Sequence, residues 1–310
     1  MTVTIHLQLV MFVDSHPDVP ENPTPTVYSD VTLSEFIPYW NIIESVPEEF
    51  RETRSKPTPM EQLNINNGNG QSYGYIVYRK TLVLRPGMRL TIRGHPRDLV
   101  QLMINGIQVN PGIYNLADLG KNFGSWGLRD AEFELLTHLE DCESGCTMDL
   151  MVENLGRANF GAPHNFEQKK GLWEGDVLLD GVPLDDWEHI AVEMKSDWLS
   201  TLTSWEPYNA IDNIRPGPRL LRGYLNIEDA IPDSGIYHDT FFDYDCATCQ
   251  VSKYIYQCRK VFKQLLDLIV ISGLETWCSI CKWIQYWSLP YSGPTKVALH
   301  PRATAQGRVQ

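Results

Sequence analysis

The chain has 310 residues, a formal net charge of −13 and 43% hydrophobic residues. That length has room for two domains of ordinary size, and the apolar content is enough for real cores. The acidity argues against nucleic acid and anionic membrane as partners, since both need a basic surface, so no nucleic-acid and no membrane partner is expected.

Residues 1–13 contain the apolar run Val10-Met11-Phe12-Val13. No Lys or Arg precedes it and no small-residue cleavage site follows before Asp14, which makes a poor signal peptide. A second apolar run, at 265–271, is interrupted by Asp267 and is too short to span a bilayer. Pro17, Pro20, Pro23 and Pro25 punctuate a polar stretch, and proline disrupts both helix and central strand. Residues 1–56 therefore read as a linker, with 33–44 apolar enough to pack against a neighbour.

From Pro57 the pattern is all-β. Residues 73–82 are aromatic and β-branched, as strands prefer. Residues 89–93 and 99–104 read as further strands, and Asn105-Gly106 between Ile104 and Ile107 is a strong two-residue hairpin signal. Residues 133–139 read as a short strand or a helical turn. Met148, Leu150 and Val152 alternate with Asp149, Met151 and Glu153, the period of a half-buried strand. Gly156 and Gly161 then release the backbone into turns that side chains disfavour.

The stretch 148–161, Met-Asp-Leu-Met-Val-Glu-Asn-Leu-Gly-Arg-Ala-Asn-Phe-Gly, resembles a Leu-Val-Glu-Asn-Met-Gly-Arg-Val-Asn-Tyr-Gly signature. That signature belongs to the non-catalytic part of family 35 glycoside hydrolases, the β-galactosidases. Other segments agree with it. Pro59-Met60-Glu61-Gln62-Leu63 is similar to the family's Ser-Met-Glu-x-Leu, and 221–227 and 239–242 are similar to its Gly-x-Phe-x-Ile and Asp-Thr-Phe strands. The resemblance runs from about residue 57 to 242. It implies a jelly-roll-like, galactose-binding-like β-sandwich over 57–195 and an incomplete second β-sandwich over 196–250, followed by a tail at 251–310 outside the family pattern.

The resemblance also implies an activity for the full-length relative: hydrolysis of terminal β-galactosides with retention, by two Glu residues in a TIM barrel and without a metal. The β-galactoside would bind in that barrel, and the β domains would pack against it. Such proteins are largely lysosomal or secreted. The family's acid/base Glu lies in Asn-Glu-Tyr-Gly and its nucleophile in Thr-Glu-Phe-x-Thr-Gly-Trp. Neither string occurs in this chain. No catalytic residue, no cofactor and no metal is therefore assigned. The chain reads as the C-terminal β-domain portion of a β-galactosidase-like hydrolase, non-catalytic by itself. The alternative is a stand-alone carbohydrate-binding or protein-interaction module.

The tail suggests its own origin. Val251-Ser252-Lys253 can be encoded by GTAAGTAAG, a splice-donor consensus, and Ile271-Ser272-Gly273 by ATTTCAGGC, which contains an acceptor. Shifted by one nucleotide, the segment around 282–288 can spell Asn-Gly-Phe-Asn-Ile-Gly, the family's missing hairpin. A retained intron followed by a frame shift is the expectation. With the hairpin missing, the second sandwich is expected to leave unpaired edges. Val261, Leu265, Leu268 and Ile269 stand at helical spacing, so 254–271 reads as a helix over that edge or as disorder.

Several side-chain groups have both a bland and a sharper reading. Glu153, Asn154, Arg157 and Asn159 read as a hydrogen-bonded signature turn between β domains, or as sugar contacts. Asp185-Asp186 reads as a turn rather than a catalytic pair. Cys246-x-x-Cys249 and Cys278-x-x-Cys281 have zinc-like spacing, but the frame-shift reading removes the second pair. Cys142 and Cys146 form a local disulfide or stay as two thiols. Trp126, Trp173, Trp187, Trp198 and Trp205 could stack on a sugar, although Trp is more often core. His6, His95 and His164 lack metal spacing.

Overall fold

A computed structural model describes residues 32–113, 117–135, 142, 144–158, 161–209, 217–227, 249–252 and 264–274. The elements, in chain order, are β1 (Thr32–Pro38), α1 (Tyr39–Glu44), β2 (Arg51–Arg54), β3 (Tyr75–Leu82), β4 (Arg89–Ile92), β5 (Leu99–Ile104) and β6 (Ile107–Gln108). There follow β7 (Ala131–Glu134), β8 (Cys146–Glu153), β9 (Val177–Leu179), β10 (Val182–Pro183), β11 (Trp187–Val192), α2 (Ser196–Thr201) and β12 (Glu206–Pro207). The last strands are β13 (Arg219–Ile227), β14 (Cys249–Ser252) and β15 (Gln264–Leu274). The fold is all-β.

A six-stranded antiparallel sheet, β2-β11-β3-β8-β5-β6, faces a four-stranded sheet, β10-β9-β4-β7. Ile76, Tyr78, Leu102, Leu150 and Val152 meet Leu90, Ile92, Ala131 and Val177 in one buried cluster, so these two sheets form a sandwich. The Asn105-Gly106 turn joins β5 to β6 as its sequence predicts, with positive φ at both residues (50° and 76°) and Ile104 opposite Ile107.

The period of two sends neighbouring side chains to opposite faces. In β3, Ile76 and Tyr78 enter the first cluster, while Tyr75 and Val77 enter a second one with Met151, Ile190 and Val192. That second cluster is closed by Ile37, Tyr39, Ile42 and Ile43 of β1 and α1, by Leu199 of α2 and by Leu220 of β13. The six-stranded sheet is therefore covered on both sides. This corrects the expectation of a half-buried strand at β8: Asp149 is 0% exposed and Met151 5%.

The stretch read from its prolines as a linker supplies β1, α1 and β2 among its described residues. Pro17, Pro20, Pro23 and Pro25 lie outside the described residues. Pro38 closes β1 before α1 begins.

A third sheet has the order β12-β1-β13-β15-β14. Phe36 and Ile37 of β1 pair with Leu221 and Leu220 of β13, and β13 pairs along Arg219–Ile227 with β15, from Ser272 back to Gln264. Here the expectation of a helix or disorder over 264–271 is corrected. The run Ile269-Val270-Ile271 is β-branched, which favours extended backbone, and the free edge of β13 offers it a ladder of hydrogen bonds. Val261 and residues 254–263 lie outside the described residues.

Candidate functional site

The signature turn begins where β8 ends. Glu153 pairs with Tyr75 on one side and Leu99 on the other, and its carbonyl accepts the Asp98 N–H at 3.0 Å. Asn154, 7% exposed, folds its side chain back onto the chain. Its Oδ1 accepts the Gly156 N–H at 2.8 Å, a turn typical of Asn. Its Nδ2 donates to Ser72 O at 3.1 Å. Arg157 donates to Glu61 Oε1. Asn159 lies outside the described residues.

A buried ion pair sits beneath this turn. Lys170 is 2% exposed and Asp98 7%. Lys170 Nζ donates to both Asp98 oxygens at 2.8 Å and to Gln168 Oε1 at 3.1 Å. Asp98 Oδ2 also accepts the Leu155 N–H at 2.7 Å. Burial pulls the Lys170 pKa below the usual lysine range, and the Asp98 carboxylate works against that shift. Glu61 completes the group by accepting the Lys170 backbone N–H at 3.0 and 3.1 Å.

The next residue fixes how close two segments come. Gly171 has φ +110°, and a Cβ there would lie 2.2 Å from the Tyr78 hydroxyl. That hydroxyl accepts the Leu172 N–H at 2.9 Å and donates to Thr58 O at 2.8 Å, so only glycine fits. The signature thus gathers the 58–62, 97–98 and 168–172 loops around the end of β8. The partners that Asn154 and Arg157 take all lie in residues 60–74, 156 and 168.

Glu174 anchors the neighbouring loop. Arg97 Nε and Nη2 donate to its Oε1 at 2.9 and 2.5 Å, and the His95 N–H donates to Oε2 at 3.0 Å. Burial pushes the Glu174 pKa up, but the His95 N–H, Arg97 and the His95 ring outweigh it and hold the carboxyl below the usual range. Asp185 and Asp186 sit on an exposed turn before β11, and His164 lies in a short 3-10 turn.

A second polar group lies on the opposite face of the six-stranded sheet. Asp149 accepts Arg79 Nε and Nη2, both at 2.8 Å, and the Tyr39 hydroxyl at 2.9 Å. Burial works against the Arg79 charge, yet the Asp149 carboxylate beside it raises its pKa overall. Burial, and then Asp149, raise the Tyr39 pKa well above the usual value. The Arg79 guanidinium lies 4.8 Å from the Trp40 ring centroid.

Of the candidate tryptophans, Trp187 is fully buried in the first core, and Trp198 and Trp205 pack against the second. Trp126 and Trp173 are exposed. Cys142 and Cys146 are joined as a disulfide and are both buried. Among the described residues no cluster of three His, Cys, Asp or Glu could hold a metal. Cys249 opens β14, while Cys246, Cys278 and Cys281 lie outside the described residues.

Sequence reasoning missed Asp98, Lys170, Asp149 and Trp40. Glu61 stands inside a motif segment quoted for the family, so its charge was a usable signal, whereas Lys170 lies nine residues past the end of the signature. Asp149 was hidden by its alternation, which on a half-buried strand marks the solvent side.

Residues 125–193 match the family model described as "Beta-galactosidase, first all-beta domain". The chain is 31% identical over 211 residues to human β-galactosidase-1-like protein 3, covering 67% of this chain and 28% of that protein. It is 25% identical over 193 residues to β-galactosidase 1 of Dictyostelium discoideum, covering 61% of this chain and 27% of the relative. With the β-galactosidase of Xanthomonas manihotis the identity is 27% over 227 residues, covering 73% of this chain and 31% of the relative. The chain thus spans 27 to 31% of the length of these relatives. It carries a β domain of the β-galactosidase family.

Proposed function

We propose that this chain is the C-terminal β-domain portion of a β-galactosidase-like glycoside hydrolase, and that its β domains pack on a catalytic barrel without cleaving sugar themselves. The observation that carries this reading is what the signature residues do. Asn154, Arg157, Glu61, Asp98 and Lys170 are spent on one another and on backbone groups, as a scaffold requires. Retaining hydrolysis needs two carboxylates about 5 Å apart across a sugar. The carboxylates of Asp98, Asp149, Glu61 and Glu174 are instead each held by a Lys or Arg, which supports a supporting role.

The test has two parts. The purified chain is assayed with a chromogenic β-galactoside, and no turnover is expected. It is then mixed with a separately produced barrel segment of a β-galactosidase-1-like protein and run on a sizing column, where co-elution is expected. Turnover by the chain alone, proportional to its concentration through successive purification steps, would overturn the reading. So would failure to co-elute with a folded barrel segment.

A further inference from the structure

Asn-Gly pairs stand at 67–68, 69–70 and 105–106. In such a pair the backbone nitrogen that follows the asparagine can reach its side-chain amide, because glycine puts no side chain in the way. The fold gives the three pairs different surroundings.

Asn105 is exposed, but its amide is held. Its Oδ1 accepts the Thr147 N–H at 3.0 Å, and its Nδ2 lies 4.0 Å from Cys142 Sγ. Asn69 Nδ2 donates to Asn66 O at 2.8 Å. Gly70 behind it is buried, and a Cβ there would lie 2.5 Å from Glu61 O, so a ring closing on its nitrogen has little room. Asn67 differs on both counts. It is exposed, and its side chain is hydrogen-bonded to none of the described residues. Around Gly68 the space is open, with nothing within 4 Å of where a Cβ would stand.

The backbone here can also give way. Asn66 and Asn67 have φ of 53° and 58°, and the Gly68 N–H donates to Ile65 O at 3.0 Å, as in a type I′ turn. Ile65 O accepts the Gly70 N–H as well, at 3.2 Å. Releasing Gly68 therefore leaves that carbonyl bonded and hands an exposed N–H to water, a local opening of small cost.

We infer that Asn67 is a site of spontaneous deamidation, with water as the only co-reactant. Gly68 N bonds to Asn67 Cγ while the Cγ–Nδ2 bond breaks, and Nδ2 leaves as ammonia with the proton from Gly68 N. Water then opens the five-membered imide. Attack at Cγ gives an aspartyl residue, and attack at the main-chain carbonyl gives an isoaspartyl residue with one more methylene in the backbone. The inference rests on this loop and not on the family reading.

The extra methylene falls between two fixed points. Asn66 Nδ2 donates to Glu193 Oε1, and Asn66 Oδ1 accepts from Lys195 Nζ, both at 2.6 Å; at the other end Gly70 lies against Glu61. Conversion should loosen the Asn66 contacts and lower the melting temperature.

The folded full chain is incubated in mildly alkaline buffer, and the three sites are followed by peptide mapping with tandem mass spectrometry. Residue 67 should convert about tenfold faster than 69 or 105, and the rates should converge when the chain is unfolded in urea. Converted chains, separated by their added negative charge, should melt below the parent. In Asn67→Gly, which keeps the positive φ without strain, incubation should leave the melt unchanged. Conversion at 67 no faster than at 105 overturns the inference, and so does the same ratio in urea, because the fold then does not select the site. Converted and parent chains that melt alike overturn the coupling to Asn66.

Discussion

The first sandwich and the third sheet are built from the same kind of strand and differ in what surrounds them. Strands β3 and β8 lie mid-sheet, with apolar clusters on both faces. The third sheet contributes Ile37 and Leu220 to one of those clusters, and its strands come from distant parts of the chain. Residues 32–38 pair with 219–224, and 219–227 pair with 264–272. The difference teaches where cooperativity resides. A strand whose neighbours lie in the middle of one sandwich fails only with the whole domain, whereas a sheet assembled from distant segments can open by itself.

The largest expected effect breaks the buried pair of the first sandwich. Lys170→Met leaves Asp98 as a lone buried carboxylate and should cost about 3–5 kcal/mol, read from the urea midpoint. The double variant Lys170→Met/Asp98→Leu should recover most of that loss. If the single variant costs under about 1 kcal/mol, the pair is not buried in solution as it is here.

A core truncation in the third sheet is the matching probe. Leu220 is fully buried, and Leu220→Ala should cost about 2 kcal/mol, the low end for such changes. Hydrogen exchange should show the loss concentrated at β1 and β13. Equal loss of protection in β3 and β8 would show that the two regions unfold as one.

Acid should act on the sandwich through His189. This imidazole is 0% exposed, and Nε2 accepts the Thr58 N–H at 2.9 Å, which requires it to be neutral. Burial holds its pKa below the usual value. The unfolded chain therefore takes up the proton first. Stability is lost as pH falls below about 6.5 toward the depressed folded-state value, by at most about 1.4 kcal/mol per pH unit. Comparing melts across that range for the parent and His189→Gln should show a smaller slope in the variant. The smallest effect belongs to the exposed Arg89–Glu132 contact at 3.5 Å. Arg89→Ala should change stability by less than about 0.5 kcal/mol.

The sequence made legible those features that depend on nearby residues. The β5–β6 hairpin follows from Asn105-Gly106, the path of β8 from its alternation, and the turn after it from Asn154 and Gly156. What it hid depends on contacts across the chain. Nothing beside Asp149 in sequence announces Arg79 or Tyr39, so a buried carboxylate looked like a solvent-facing one. The β1–β13 pairing joins segments more than 180 residues apart, and the apolar spacing at 265–269 suits a helix until the edge of β13 is in view.

The Lys170–Asp98 pair also bears on how such a domain can change over generations. Replacing either partner first strands a charge in a dry interior, whereas replacing both with well-packed apolar residues can be neutral or even favourable. A route to an uncharged core exists at that point, but its intermediate steps are ones a marginally stable protein does not survive. The two residues are tied to one another as a single heritable unit, locked in by the path and not by the destination.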